Sequence, residues 1–168
     1  MMDGSWSNFS QDNYLETTKD INFSTPFDIV VPAITGNDLS GDEQEILGAS
    51  AWQRSLEAGT CDNHFSWEFE DLHWDLHGDQ LIPETSTKYM VRIVNDGTTT
   101  KFYVKKPEDQ IWVLDLTETN TGKLPTHTLG FGTDLDSKGQ YWRGSIDVGE
   151  AYLKMGGNKY KFKLRPFN

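Results

Sequence analysis

Glu68, Glu70, His73, Asp75 and His77 stand close together and carry side chains that hold transition metals. Imidazole and carboxylate are the usual ligands of such ions. The spacing His73-x-Asp75-x-His77 puts all three on one face of a strand, because strand side chains alternate. The same polar positions suit the solvated face of a sheet whose other face carries Leu72, Trp74 and Leu76. Such a face would also bond sugar hydroxyls. A second group, Asp134-Leu135-Asp136-Ser137-Lys138-Gly139, opens like a calcium loop, with Asp134 and Asp136 as its first ligands. It then departs from that pattern. Lys138 puts a cation where an oxygen is needed, and Ser145 stands where a bidentate Glu belongs. A surface turn is the plainer reading of its Asp, Ser and Gly residues. A third group, Ser145-Ile146-Asp147-Val148-Gly149-Glu150, bears on hydrolysis. Retaining glycoside hydrolysis needs two carboxyl groups about 5–5.5 Å apart. Ser145 occupies the place of the first, so no catalysis is expected.

The chain has 6 Trp. Exposed rings stack on the apolar faces of sugars, and neighbouring polar groups bond the hydroxyls. Trp67, Trp74 and Trp112 alternate in phase with other apolar residues and are expected in the core. Tyr103 is out of phase with Phe102 and Val104, and Trp52 sits among polar residues. Those two are the expected surface aromatics. With His73, Asp75 and His77 they make the candidate carbohydrate-binding set. No phosphate-binding glycine loop, His-Glu-x-x-His or Gly-x-Ser-x-Gly motif is present.

The elements that must position these residues have period two, and helical periodicity is almost absent. Residues 89–94 read as a strand, and Asn95-Asp96-Gly97-Thr98 as a hairpin turn. Residues 99–105 return, Lys106-Pro107-Glu108-Asp109 turns again, and 111–116 closes a three-strand meander. There Trp112, Leu114 and Leu116 are expected to share a side. Residues 159–165 read as one strand, with Tyr160, Phe162 and Leu164 on an apolar face. Lys159, Lys161, Lys163 and Arg165 form its cationic face, the pattern of a guarded edge. Further strands are expected at 27–34, 45–48, 65–69, 73–77, 128–131 and, with a break, 141–155. Residues 49–58 have Trp52 and Leu56 at helical spacing, but strand or irregular structure is favoured. Ten or more short strands in one domain mean a sandwich or barrel.

At 168 residues the chain has the length of one domain. A net charge of -11 and a pI near 4.6 argue against nucleic acid and anionic membranes as partners. No run of about 18 apolar residues is available for membrane insertion. No basic-then-apolar leader is seen, and the doubled Met1-Met2 reads as a start placed before an excised domain. The single Cys61 excludes an intrachain disulfide. Residues 1–12 are polar and expected to be partly loose.

Three stretches carry a resemblance. The first is Ser7-Asn8-Phe9-Ser10 with Asn13-Tyr14-Leu15 and Phe27-Asp28-Ile29-Val30-Val31. The second runs from Thr87-Lys88-Tyr89-Met90-Val91-Arg92-Ile93 through Lys101-Phe102-Tyr103-Val104 to Ile111-Trp112. The third is Leu129-Gly130-Phe131-Gly132, Tyr141-Trp142-Arg143-Gly144-Ser145-Ile146-Asp147-Val148 and Ala151-Tyr152-Leu153-Lys154-Met155-Gly156-Gly157. Together they resemble the concanavalin A-like, laminin G-like jelly-roll superfamily. The third looks most like domains of tailed-phage tail fibres and baseplates. The resemblance implies an all-β fold, an antiparallel two-sheet jelly-roll sandwich, over the single domain 1–168. It implies a non-catalytic recognition domain of a phage virion that binds carbohydrate at the bacterial host surface. A structural module contacting other virion proteins is the alternative, and a glycan-cleaving enzyme on the same fold is disfavoured. Some relatives bind calcium near the sandwich rim, where Asp134 and Asp136 are the candidate ligands. A homo-oligomer would arise through a larger parent polypeptide.

Overall fold

A computed structural model of the chain describes residues 4–51, 53–70, 73–135 and 140–167. Trp52 and Asp136, both expected at functional sites, lie outside the described residues, as do the side chains of His73 and Trp74. In chain order the strands begin with β1 Ser5–Trp6, β2 Tyr14–Thr17, β3 Ile21–Asn22, β4 Phe27–Ile34, β5 Gln44–Ala51 and β6 Arg54–Cys61. They continue with β7 His64–Phe69, β8 His73–Leu76, β9 Lys88–Asn95, β10 Thr99–Lys105 and β11 Val113–Thr119. The last are β12 Thr126–His127, β13 Gly130–Phe131, β14 Ser145–Asp147, β15 Tyr152–Met155, β16 Asn158–Lys161 and β17 Leu164–Phe167. Every strand pair is antiparallel.

Two large sheets face each other. The first runs β1-β14-β4-β9-β10-β11, with β15 and β16 continuing beside β4. The second runs β17-β2-β13-β5-β6-β7-β8. β3 and β12 make a small ribbon of their own. The core lies between the large sheets. Ile29, Val31, Val91, Ile93, Phe102 and Val104 enter it from the first, and Leu47, Leu56, Phe65, Trp67 and Phe69 from the second. Rings join the layers: Phe65 meets Tyr89 edge-on at 5.0 Å, and Trp67 lies 5.1 Å from Phe102. These contacts add aromatic geometry to ordinary apolar burial. The architecture is the expected jelly-roll sandwich. Gly144 shows why its segment cannot carry a side chain: a Cβ there would sit 1.8 Å from the Ile34 carbonyl oxygen.

The expected strand at 27–34 and the β9–β10–β11 meander are present. Residues 49–51 and 54–58 lie in β5 and β6 as strand rather than helix, with Gln53 between them at φ 56°. Four expectations are corrected. The strand expected at 159–165 is two strands in different sheets. β16 pairs with β15, whereas β17 pairs with β2 across the sandwich. The chain changes sheet at Phe162, which is buried against Phe131 at 5.2 Å. Tyr160, expected on an apolar face, is 49% exposed. The four cations therefore form no single edge row.

The second correction is a phase inversion in β11. A bulge shifts its register between Phe102 and Tyr103, so Leu114 is exposed and Asp115 is buried. The Asp115 carboxylate accepts from Trp67 Nε1 at 2.7 Å and from the Gly78 and Gln80 amides at 3.1 and 3.0 Å. A charge buried with these donors is satisfied, which is what lets the bulge persist. Third, Trp112 is half-buried on the outer face of the first sheet rather than in the core. Fourth, within the described part of the segment expected to be loose, Ser5 and Trp6 pair with Asp147 and Ile146, and Phe9 is buried. Among the described residues no helix is long and apolar enough to cross a membrane.

Candidate functional site

The outer face of the first sheet carries a row set by strand register. Tyr152 pairs with Val30, Val30 with Arg92, Arg92 with Tyr103, and Tyr103 with Leu114. The neighbours of Tyr152, Val30, Arg92 and Tyr103 in sequence point into the core, so these side chains point outward, and Leu114 is exposed. Arg92 is the hinge of the row. Its Nε and Nη2 donate to Asp28 Oδ1 and Oδ2 at 2.9 and 2.7 Å, a bidentate pair that fixes the guanidinium plane. These bonds hold Arg92 above its ordinary pKa, against the opposing effect of partial burial. The guanidinium carbon lies 5.6 Å from the Tyr103 ring centre and 5.5 Å from the Trp112 ring centre. Lys105 Nζ sits 5.1 Å from Trp112, and Lys159 Nζ 4.1 Å from Tyr152. Two half-buried rings thus lie against one immobilised cation and a third, Tyr152, stands in the same row, with Asp28, Lys105 and Lys159 at hand to bond hydroxyls.

The outer face of the second sheet is acidic. Glu57 pairs with Glu68 across β6 and β7, and their carboxyl groups share a hydrogen bond. Ser55 Oγ donates to Glu68 Oε1 at 2.9 Å. Glu45 and Glu57 are 3% and 2% exposed, and each keeps one carboxyl oxygen without a partner. Burial pushes Glu57 far above the carboxylate range, with Glu45 and Glu68 adding to the effect, so Glu57 is a neutral acid at pH 7. Burial raises Glu45 likewise, with Glu43 and Asp134 adding to it. The backbone of residues 133–134 runs over this face, while residues 132 and 140–141 lie beside β5. Glu45 N donates to the Gln140 carbonyl, and the Asp134 Cα would be 2.6 Å from a Cβ on Gly48. Asp134, expected in an exposed turn or at a calcium rim, is instead 2% exposed. Sequence reading missed Glu45 and Glu57, because it sought paired carboxylates along one strand, whereas here they pair across two.

At one end of this sheet, His64 and His77 stack at 4.6 Å between ring centres and flank Asp79. His64 Nδ1 is 2.7 Å from Asp79 Oδ1, and His77 Nδ1 is 3.0 Å from both carboxylate oxygens. Partial desolvation pushes the Asp79 carboxyl up, but the two imidazole bonds outweigh it and hold the carboxyl below its usual range.

Of the five residues expected to bind carbohydrate, the three whose side chains are described, Asp75, His77 and Tyr103, do not form one site. Tyr103 is on the first sheet. Asp75 and His77 are on the second, where Asp75 Oδ1 accepts from Ser66 Oγ at 3.1 Å while His77 turns to His64. The His73-x-Asp75-x-His77 phase is broken as well. Leu76 lies opposite Trp67 and His73 opposite Phe69, one residue out of step, and Asp75 has φ 47°.

No protein-family model and no curated protein matches the sequence. Among solved structures, the mouse laminin alpha1 chain domains LG4-5 align with a TM-score of 0.62 at 10% identity, over 99% of this chain and 46% of that one. The native heptameric SAP-like pentraxin from Limulus polyphemus aligns at 0.61 and 11% identity, over 90% of this chain and 75% of that one. The CBM2 module of the evolved Dit of Lactobacillus casei BL23 phage J-1 aligns at 0.50 and 15% identity, over 83% of this chain and 65% of that one. The chain spans less than two thirds of the laminin and Dit proteins it matches. These likenesses identify the fold: an all-β, antiparallel, concanavalin A-like jelly-roll sandwich.

Proposed function

We propose that the chain is a non-catalytic carbohydrate-recognition domain of a phage virion protein, acting at the bacterial surface. The binding surface in this reading is the outer face of the first sheet. The observation that carries it is the Arg92 guanidinium held by Asp28 between the Tyr103 and Trp112 rings. A sugar ring stacks on half-exposed aromatics, and a fixed ion pair presents both a donor and an acceptor to its hydroxyls. The CBM2 module of the phage Dit supports the reading by its shape. The acidic charge of the chain suits a neutral or cationic glycan better than an anionic polymer.

One observation favours a hydrolase as the second reading, namely the carboxyl pair Glu57–Glu68. Burial weighs against it, because Glu57 is 2% exposed and a glycosidic oxygen would have to reach its proton. A glycan array probed with the full chain tests the proposal. The expected result is binding to a restricted set of bacterial surface glycans, lost by about tenfold or more in Tyr103→Ala and Trp112→Ala, since each removes about 1.5–3 kcal/mol of buried aromatic contact. Absence of binding beside a positive lectin control would refute it, as would release of reducing ends from a bound glycan.

A further inference from the structure

We propose that His64, His77 and Asp79 form a binding site for one divalent transition-metal ion, zinc above all. Each residue offers one ligand atom, and the three atoms lie within 4.8 Å of one another. A tetrahedral zinc ion needs its ligand atoms about 3.3 Å apart, given Zn–N and Zn–O lengths near 2.0–2.1 Å. The measured separations from His64 Nδ1 and His77 Nδ1 to the Asp79 carboxylate are 2.7 and 3.0 Å, so small side-chain rotations open the space. Metal bonds then replace the two imidazole–carboxylate hydrogen bonds. Each imidazole binds through Nδ1, whose proton is given up to solvent while a proton is carried on Nε2, so two neutral rings and one carboxylate face the ion. All three side chains are about 40% exposed, which leaves a fourth position to water.

The scaffold is rigid where it must be. His64 opens β7, directly after a two-residue hairpin turn in which Asp62 and Asn63 both have positive φ. Asp79 has φ 56° and sits between Gly78 and Gln80, whose amides both donate to the buried Asp115. Asp115 is in turn held by Trp67 Nε1. The carboxylate therefore stands on a backbone clamped to the core, the kind of support that orients metal ligands. Two nitrogen donors select zinc, copper or nickel and disfavour calcium, which takes oxygen. The site does not rest on the glycan reading and lies on the other sheet.

Isothermal titration of the chelator-stripped full chain with zinc tests it, with calcium as comparison and thermal melts to confirm folding. The expected result is one zinc per chain, with affinity about tenfold or more lower in each of His64→Ala and His77→Ala and unchanged in His127→Ala. Calcium should give no matching heat. Ring-nitrogen chemical shifts of His64 and His77 should move on zinc addition. The proposal fails if zinc does not bind, if binding survives both substitutions, or if calcium binds equally well.

Discussion

The most consequential single residues are acids held in the interior, and they act in opposite ways. Glu57 is buried with an oxygen left without a partner. It keeps its proton in the folded chain, while the unfolded chain releases that proton above about pH 4.3. The folded state therefore binds more protons than the unfolded state above that pH, and stability falls as pH rises towards the folded pKa. Glu57→Gln, which cannot ionise, should flatten this decline. It should stabilise the fold by about 1–3 kcal/mol at pH 7.5 and by much less at pH 5, read from urea melts at the two pH values. Asp115 is the contrary case, because its carboxylate satisfies three donors. Asp115→Ala should cost about 3–5 kcal/mol by orphaning them, and a change within about 0.5 kcal/mol would show that the clamp carries no weight.

At the scale of elements, the hairpins were legible and the crossings were not. The β9–β10 hairpin follows from Asn95-Asp96-Gly97-Thr98 between alternating strands, a local signal with a local cause. β11 misleads because its pattern is right for a regular strand, and only the pairing with β10 reveals the bulge that exchanges Leu114 for Asp115. The segment 158–167 misleads for a similar reason. Alternation persists through Phe162 while the chain passes from one sheet to the other, and period two says nothing of which sheet a strand joins. Tyr103 was legible as an outward residue from its phase. Trp112 was not, since it precedes the strand whose phase was used to place it. Glu57 and Glu68 met only through register. The crossing at Phe162 has its own test: Phe162→Ala should cost about 3–5 kcal/mol and raise hydrogen exchange in both β16 and β17. Exchange confined to one strand would contradict a shared anchor.

For the whole molecule, the sandwich separates two chemistries. One outer face presents aromatics around a fixed Arg92–Asp28 pair, and the other buries carboxyl groups and ends in paired imidazoles. The net charge of -11 is therefore not uniform in effect: Arg92, Lys105 and Lys159 gather on the aromatic face. A protein with two such unlike faces should bind sugar by only one of them. The direct measurement is calorimetric titration of the strongest array glycan into the parent chain, Trp112→Ala and Asp75→Ala. The account predicts that Asp75→Ala binds as the parent does and that Trp112→Ala loses at least about tenfold in affinity. Undiminished binding by Trp112→Ala, or loss on Asp75→Ala alone, would move the site to the opposite face and contradict the account.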